Sequence, residues 1–133
     1  MAVKPETTYI GRVHKHLPKQ VYRMKNNNPY MGGIPDVWYS AQAGDLWAEY
    51  KYLPKIPQRV NVRPTELLSK LQQEWLNDRY EEGRNVAVII GCPSGGVLLR
   101  DKAWMNELSP LKFTSLIKSN ADLATWIKEQ VSG

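Results

Sequence analysis

The chain has 133 residues, 42% of them hydrophobic and 23% charged, proportions of an ordinary folded domain rather than of a disordered or fibrous chain. Eighteen Lys and Arg against thirteen Asp and Glu leave a net charge of +5, an excess that attracts polyanions and nucleic acid foremost. No apolar run approaches the ~20 residues of a membrane span, the first residues lack the apolar core of a secretory signal, and the single cysteine, Cys92, rules out an internal disulfide and suits a reducing, cytoplasmic compartment.

In chain order, Ile10, Val13 and Leu17 fall at helical spacing, which predicts a first helix over Thr8–Leu17 with Thr7 or Thr8 as N-cap and Pro18 as its stop. Val21 to Lys25 alternates apolar and basic residues and reads as a strand. Asn26 to Pro29 has turn chemistry, and Gly32-Gly33 permits tight backbone geometry ahead of Ile34. Asp36–Tyr39 predicts a second strand, 41–45 a short hairpin connection, and Leu46–Tyr52 a third strand. From Leu53 to Pro64 the chain is rich in proline and basic residues and reads as a loop. Pro64 suits the first turn of a helix that runs to about Glu82 and stops at Gly83, with Leu68, Leu71, Trp75 and Leu76 as its apolar stripe. Asn85 to Ile90 is nearly continuous β-branched sequence, as in a strand buried on both faces. Gly95-Gly96 turns into a strand over Val97–Arg100, Trp104–Leu108 suggests a helical turn, and Ala121–Val131 a closing helix with Leu123, Trp126 and Ile127 inward. This order predicts one α/β domain spanning 1–133, with no internal repeat.

The chemistry gathers around Gly33-Ile34-Pro35-Asp36 and Glu49-Tyr50-Lys51. Side chains alternate along a strand, so Glu49 and Lys51 share a face while Tyr50 points the other way. If the strand begun by Asp36 lies beside them, two carboxylates and an ammonium meet at one point. Magnesium takes hard oxygen ligands, usually one or two carboxylates with water and substrate phosphate. Asp36 and Glu49 supply such carboxylates, the carbonyl of Tyr50 is a further candidate ligand, and Lys51 is placed to orient water or to meet charge on a phosphate. Alone, an acid after proline and a Glu-x-Lys would be an ordinary turn acid and a solvated ion pair.

Three ordered elements together resemble the PD-(D/E)xK nuclease superfamily, and within it the VRR-NUC family. These are Gly33-Ile34-Pro35-Asp36, then Glu49-Tyr50-Lys51, then the helix Leu68-Ser69-Lys70-Leu71-Gln72-Gln73-Glu74-Trp75-Leu76, followed by Gly83 and the strand from Val86. The resemblance covers about Gly32 to Ile90. It implies a restriction-endonuclease-like core, a central mixed β-sheet flanked by helices. It also implies Mg2+ or Mn2+ held by Asp36 and Glu49, Lys51 as the catalytic lysine, and Gln72 as the helix glutamine of the active site, with Gln73 as the fallback. A first-helix glutamate common in the superfamily points to Glu6. Small stand-alone, virus-encoded members resemble Holliday-junction resolvases acting as homodimers. The implied function is therefore metal-dependent cleavage of branched or double-stranded DNA, four-way junctions first. Flaps, nicks, plain duplex or RNA are the alternatives within the fold, and a non-catalytic nucleic-acid-binding module is the alternative outside it.

Lys55, Arg59 and Arg63 leave the predicted catalytic strand and are candidate phosphate contacts, joined by Lys70 and by Lys25 of the earlier basic stretch. His14 and His16 do not share a helix face and read as surface residues. The five tryptophans read as core or interface, with Trp47 the one that would stack on bases if its strand face were open.

Overall fold

Pro5 opens helix α1 (Pro5–His14) from its first helical position, where a missing amide proton costs nothing and the ring presets the helical φ. The computed structural model, which describes residues 4–26 and 32–133, thus starts this helix earlier than the apolar spacing predicts. Lys4 takes the N-cap position, Thr7 and Thr8 are internal, and no side chain caps the helix. Leu17 lies beyond its end, its amide bonded to His14 O at 3.1 Å in a tighter turn before Pro18. Past Asn26, the expected turn lies outside the described residues.

The strands β1 (Tyr22–Lys25), β2 (Val37–Ala41), β3 (Gly44–Tyr52), β4 (Val86–Cys92) and β5 (Gly95–Leu99) form one sheet in sequence order. Only the β3–β4 pair is parallel, with Glu49 opposite Val88 and Lys51 opposite Ile90. The other neighbours are antiparallel, so the sheet is mixed, and with helices on both faces it has the restriction-endonuclease-like α/β architecture. Every residue of β4 is buried, which is why its sequence reads as one apolar run.

Two cores result. On one face Val37, Tyr39, Leu46, Ala48, Tyr50 and Ile89 pack against α1 and the C-terminal helix α5 (Asn120–Ser132). On the other, Val88, Ile90, Val97 and Leu99 meet Leu76, Trp104 and Phe113.

The helix expected from Pro64 to Glu82 is two: α2 (Pro64–Leu67) and α3 (Lys70–Glu81). Leu68 leaves the helical region at ψ 137°, and Ser69 restarts it as an N-cap whose hydroxyl accepts from Gln72 N. Leu71, expected in the apolar stripe, is 57% exposed; the break rotates it toward the Gly32-Gly33 turn instead. Helix α4 (Pro110–Leu116) has no counterpart among the predicted elements. It buries Phe113 alone, too little for an apolar period to show, although Ser109-Pro110 is a cap followed by an N1 proline.

Candidate active site

β2 and β3 are paired from Ala41↔Gly44 back to Val37↔Ala48, and the next position toward the chain start is Asp36. Its main chain is held by Asn26, whose amide donates to Asp36 O at 2.7 Å. Its side chain replaces the missing strand partner: Asp36 Oδ2 accepts from Tyr50 N at 2.8 Å. Trp47 N donates to Asn85 O just ahead of β4 and Leu53 N to Gly91 O within it, so the alternate residue Tyr50 turns its N–H and C=O to the opposite edge, where Asp36 sits. The Tyr50 carbonyl is therefore on the side at which a cation beside Asp36 would rest.

Glu49 and Lys51 share a face as the alternation predicts, with Nζ and Oε2 3.7 Å apart. Gln72 comes in from α3 and donates from Nε2 to Glu49 Oε2 at 3.2 Å. The same side chain closes a capping box, its Oε1 accepting from Ser69 N at 2.8 Å while Gln72 N donates to Ser69 Oγ at 3.1 Å. The Leu-Ser-x-x-Gln pattern thus has two physical jobs: it starts α3 and fixes a donor on Glu49. Gln73 is occupied elsewhere, bonding Thr65 O and Leu68 O across the α2–α3 break.

Gly33 couples these pieces. Its φ of +88° is left-handed, and a Cβ there would lie 2.6 Å from Leu71 O, so only glycine lets the turn before Asp36 abut the first turn of α3.

Asp36, Glu49, Tyr50, Lys51 and Gln72 line a cleft of about 560 Å3, whose other wall includes Lys4, Glu6 and Thr7 of the α1 start. Glu6 therefore faces the cleft from the helix's first turn, but among the described residues no group of three His, Cys, Asp or Glu side chains forms, so it stands apart from the Asp36–Glu49 pair. Glu49 is 2% exposed. Burial pushes its carboxyl up to about 9, the Asp36 charge adds to that, and the Lys51 ammonium opposes it. Its Oε1 is buried and accepts no hydrogen bond among the described residues, and the one hydrogen bond open to the neighbouring Asp36 carboxylate requires Glu49 to be protonated. A buried, unpaired carboxylate oxygen facing a cleft is a costly arrangement unless a cation or proton completes it. Two carboxylates with a main-chain carbonyl are the hard-oxygen donor set suited to Mg2+ or Mn2+, so these residues fit such an ion.

The other expected contacts are dispersed. Lys55 and Arg59 are exposed in the loop after β3, and Arg63 is held by Glu107 at 3.0 Å and Glu66 at 3.3 Å. Lys70 is exposed at the start of α3, and Lys25 ends β1. None of the five lines the cleft.

His14, expected on the surface, is instead half-buried, its Nε2 2.7 Å from Tyr39 Oη, which in turn is 2.6 Å from Tyr50 Oη. Burial and the nearby Arg23 and Lys25 charges bring His14 down to about 4, so at neutral pH it is an uncharged partner in that chain. Beneath β3, then, lies a polar network that alternation of apolar residues could not reveal, because tyrosine counts as core in such a pattern.

Fold and site together define an α/β protein with a restriction-endonuclease-like core that gathers two acids, a lysine and a glutamine at one cleft. It is similar to the solved structure of Hjc, a Holliday junction resolvase from the archaeal hyperthermophile Archaeoglobus fulgidus, with a TM-score of 0.55 and 13% identity over 90% of this chain and 96% of that one. At that identity the likeness carries the fold. No protein-family model matches the chain, and no curated protein matches it in sequence. No helix among the described residues is long and apolar enough to cross a membrane.

Proposed function

We propose that this chain is a Mg2+- or Mn2+-dependent endonuclease of structured DNA, a VRR-NUC-type member of the PD-(D/E)xK superfamily acting on four-way junctions as a homodimer. The observation that carries this reading is Glu49: a buried carboxylate with an unpartnered oxygen, facing the cleft that Asp36 and Lys51 also line. The ion would be held by Asp36, Glu49 and the Tyr50 carbonyl, and it would supply Lewis-acid activation of a water and neutralisation of phosphate charge. The chain's own groups prepare the rest. Tyr50 N–H fixes the Asp36 carboxylate, Gln72 fixes that of Glu49, and the Lys51 ammonium offers hydrogen bonds to an attacking water or to the phosphate oxygen that gains charge.

Similarity to a junction resolvase supports the choice of branched DNA, and a twofold pair of such clefts would cut paired strands of a junction. The lone cysteine favours a reducing compartment, the cytoplasm of a host cell for a virus-encoded chain. The test is cleavage of matched four-way, flap, nicked and linear duplex DNA with Mg2+, Mn2+ or EDTA, alongside sedimentation of the free chain. Expected are metal-dependent cutting with junctions preferred, a dimer, and an Asp36→Ala variant that binds junctions but no longer cuts. Binding without cutting under every ion would leave a basic DNA-binding module. Equal cutting of all forms would keep the nuclease and remove the junction preference.

A further inference from the structure

Along β3, the residues sharing the face of Glu49 and Lys51 continue backwards through Trp47 to Asp45, and α3 runs beside them in the opposite sense. Gln72 meets Glu49 at 3.2 Å, Trp75 meets Trp47 with ring centroids 5.5 Å apart, and Arg79, one further turn on, joins Asp45 at the rim of a second cleft. That cleft, of about 230 Å3, is lined by Asp45, Trp47, Trp75, Arg79 and Arg84. The aromatic surface extends across the sheet: Trp38 lies 6.1 Å from Trp47, and Tyr22 lies 5.9 Å from Trp38. Trp38 belongs to neither core, and Tyr22 is 57% exposed.

We infer that this cleft is a subsite for an unpaired nucleobase and its phosphate, next to the cutting site. The ligand is argued from three observations. Neighbouring rings are tilted or edge-on rather than stacked on one another, and since Arg79 lies over the Trp75 ring, a flat partner would stack on Trp47. The volume is below that of pockets for drug-sized molecules, and it suits one planar ring rather than a duplex groove. At the cleft's rim stand two guanidinium groups. Arg79 sits 5.6 Å over the Trp75 ring, its Nη2 paired with Glu82 at 3.0 Å but its Nε buried and without a hydrogen-bond partner among the described residues, and Arg84 is 69% exposed with only a loose 3.9 Å approach to the same Glu82. Asp45 is turned to the indole N–H of Trp38 at 2.9 Å.

The two guanidinium groups and the chain's net charge of +5 favour an anionic occupant over a second copy of the same basic chain. From Glu49 to Trp47 is two residues of strand, about 7 Å, or roughly two nucleotide steps. The subsite extends the nuclease reading and rests on it: a base unpaired at a branch point or flap would lodge here while a phosphate a step or two away reaches Asp36 and Glu49.

The experiment is binding in EDTA by the whole 133-residue chain. Two DNA duplexes would be compared, identical except for one extruded 2-aminopurine, whose fluorescence is quenched on stacking. Expected are quenching and an affinity at least about tenfold higher for the extruded-base duplex, with both lost in Arg84→Ala and in Trp47→Leu. Equal affinity for the two duplexes overturns the subsite. So does a preference that survives in Arg84→Ala, whose exposed side chain supports no core, or in a folded Trp47→Leu chain. A Trp47→Leu chain that changes its sedimentation but keeps the preference would assign the aromatic strip to a second copy. Cutting is scored separately: preference without cutting retains the subsite and loses the nuclease, and cutting without preference does the reverse.

Discussion

Glu49 is a carboxylate held where its ionised form is disfavoured, and that has consequences that can be measured without DNA. Its folded-state pKa of about 9 lies above the ordinary 4.5, so between those values the folded chain keeps a proton that the unfolded chain gives up. Stability of the metal-free protein must then fall as pH rises through this window, by up to about 1.4 kcal/mol per pH unit from this group, and level off above it. The expected thermal midpoints in EDTA therefore decline from pH 5 to pH 9. Glu49→Gln, which keeps the shape and removes the proton equilibrium, should flatten the decline, raise the midpoint at pH 8, and abolish cutting. Added Mn2+ should raise the midpoint of the native chain most at high pH, where fewer protons compete for the site, and should do little for Glu49→Gln. Parallel pH curves for the two chains would show that the site's burial penalty lies elsewhere.

Among the elements, the site depends on how α3 starts. Ser69→Ala removes the N-cap acceptor and should cost about 1 kcal/mol of stability. Because the box it breaks also holds Gln72 against Glu49, kcat should drop with KM little changed. A stability loss without a kcat loss would mean that Gln72 is placed by something other than its cap. Gly33→Ala should be worse, by more than about 1 kcal/mol, since φ +88° and the Leu71 carbonyl both oppose a Cβ. These two variants also mark the boundary of what could be read from the chain itself. Strand alternation put Glu49 and Lys51 on one face, and the unbroken β-branched run marked β4 as central. The break at Leu68 and Ser69 carries a sequence signal, the capping-box pattern Ser69-x-x-Gln72, but apolar residues that keep helical spacing across it mask that signal. The bond between His14 and Tyr39 was invisible for a related reason: a histidine among basic residues looks solvated until the strand beneath it is known to carry a tyrosine hydroxyl.

For the whole molecule, the topology sets where the DNA of the proposed function would lie. β3 delivers Glu49 and Lys51 toward its C-terminal end, and the loop carrying Lys55, Arg59 and Arg63 leaves from that same end. In open α/β sheets this is the usual side for ligands. The three cations are nevertheless not equivalent. Arg63 already satisfies two carboxylates, Glu66 and Glu107, and the hydrogen bonds to them hold its guanidinium further toward the charged form, so a phosphate would have to displace both. Lys55 and Arg59 have no ion pair among the described residues. Each phosphate neutralised by a cation contributes about 0.9 to the slope of log affinity against log salt on duplex DNA. Junction binding measured in EDTA from low to moderate salt should therefore lose about 0.9 of slope in Lys55→Ala and again in Arg59→Ala. It should lose almost none in Arg63→Ala, whose removal mainly frees two carboxylates. Equal losses at all three positions would mean the ion pairs open on binding, and no loss at any would move the DNA path off this loop toward α3 and the aromatic face.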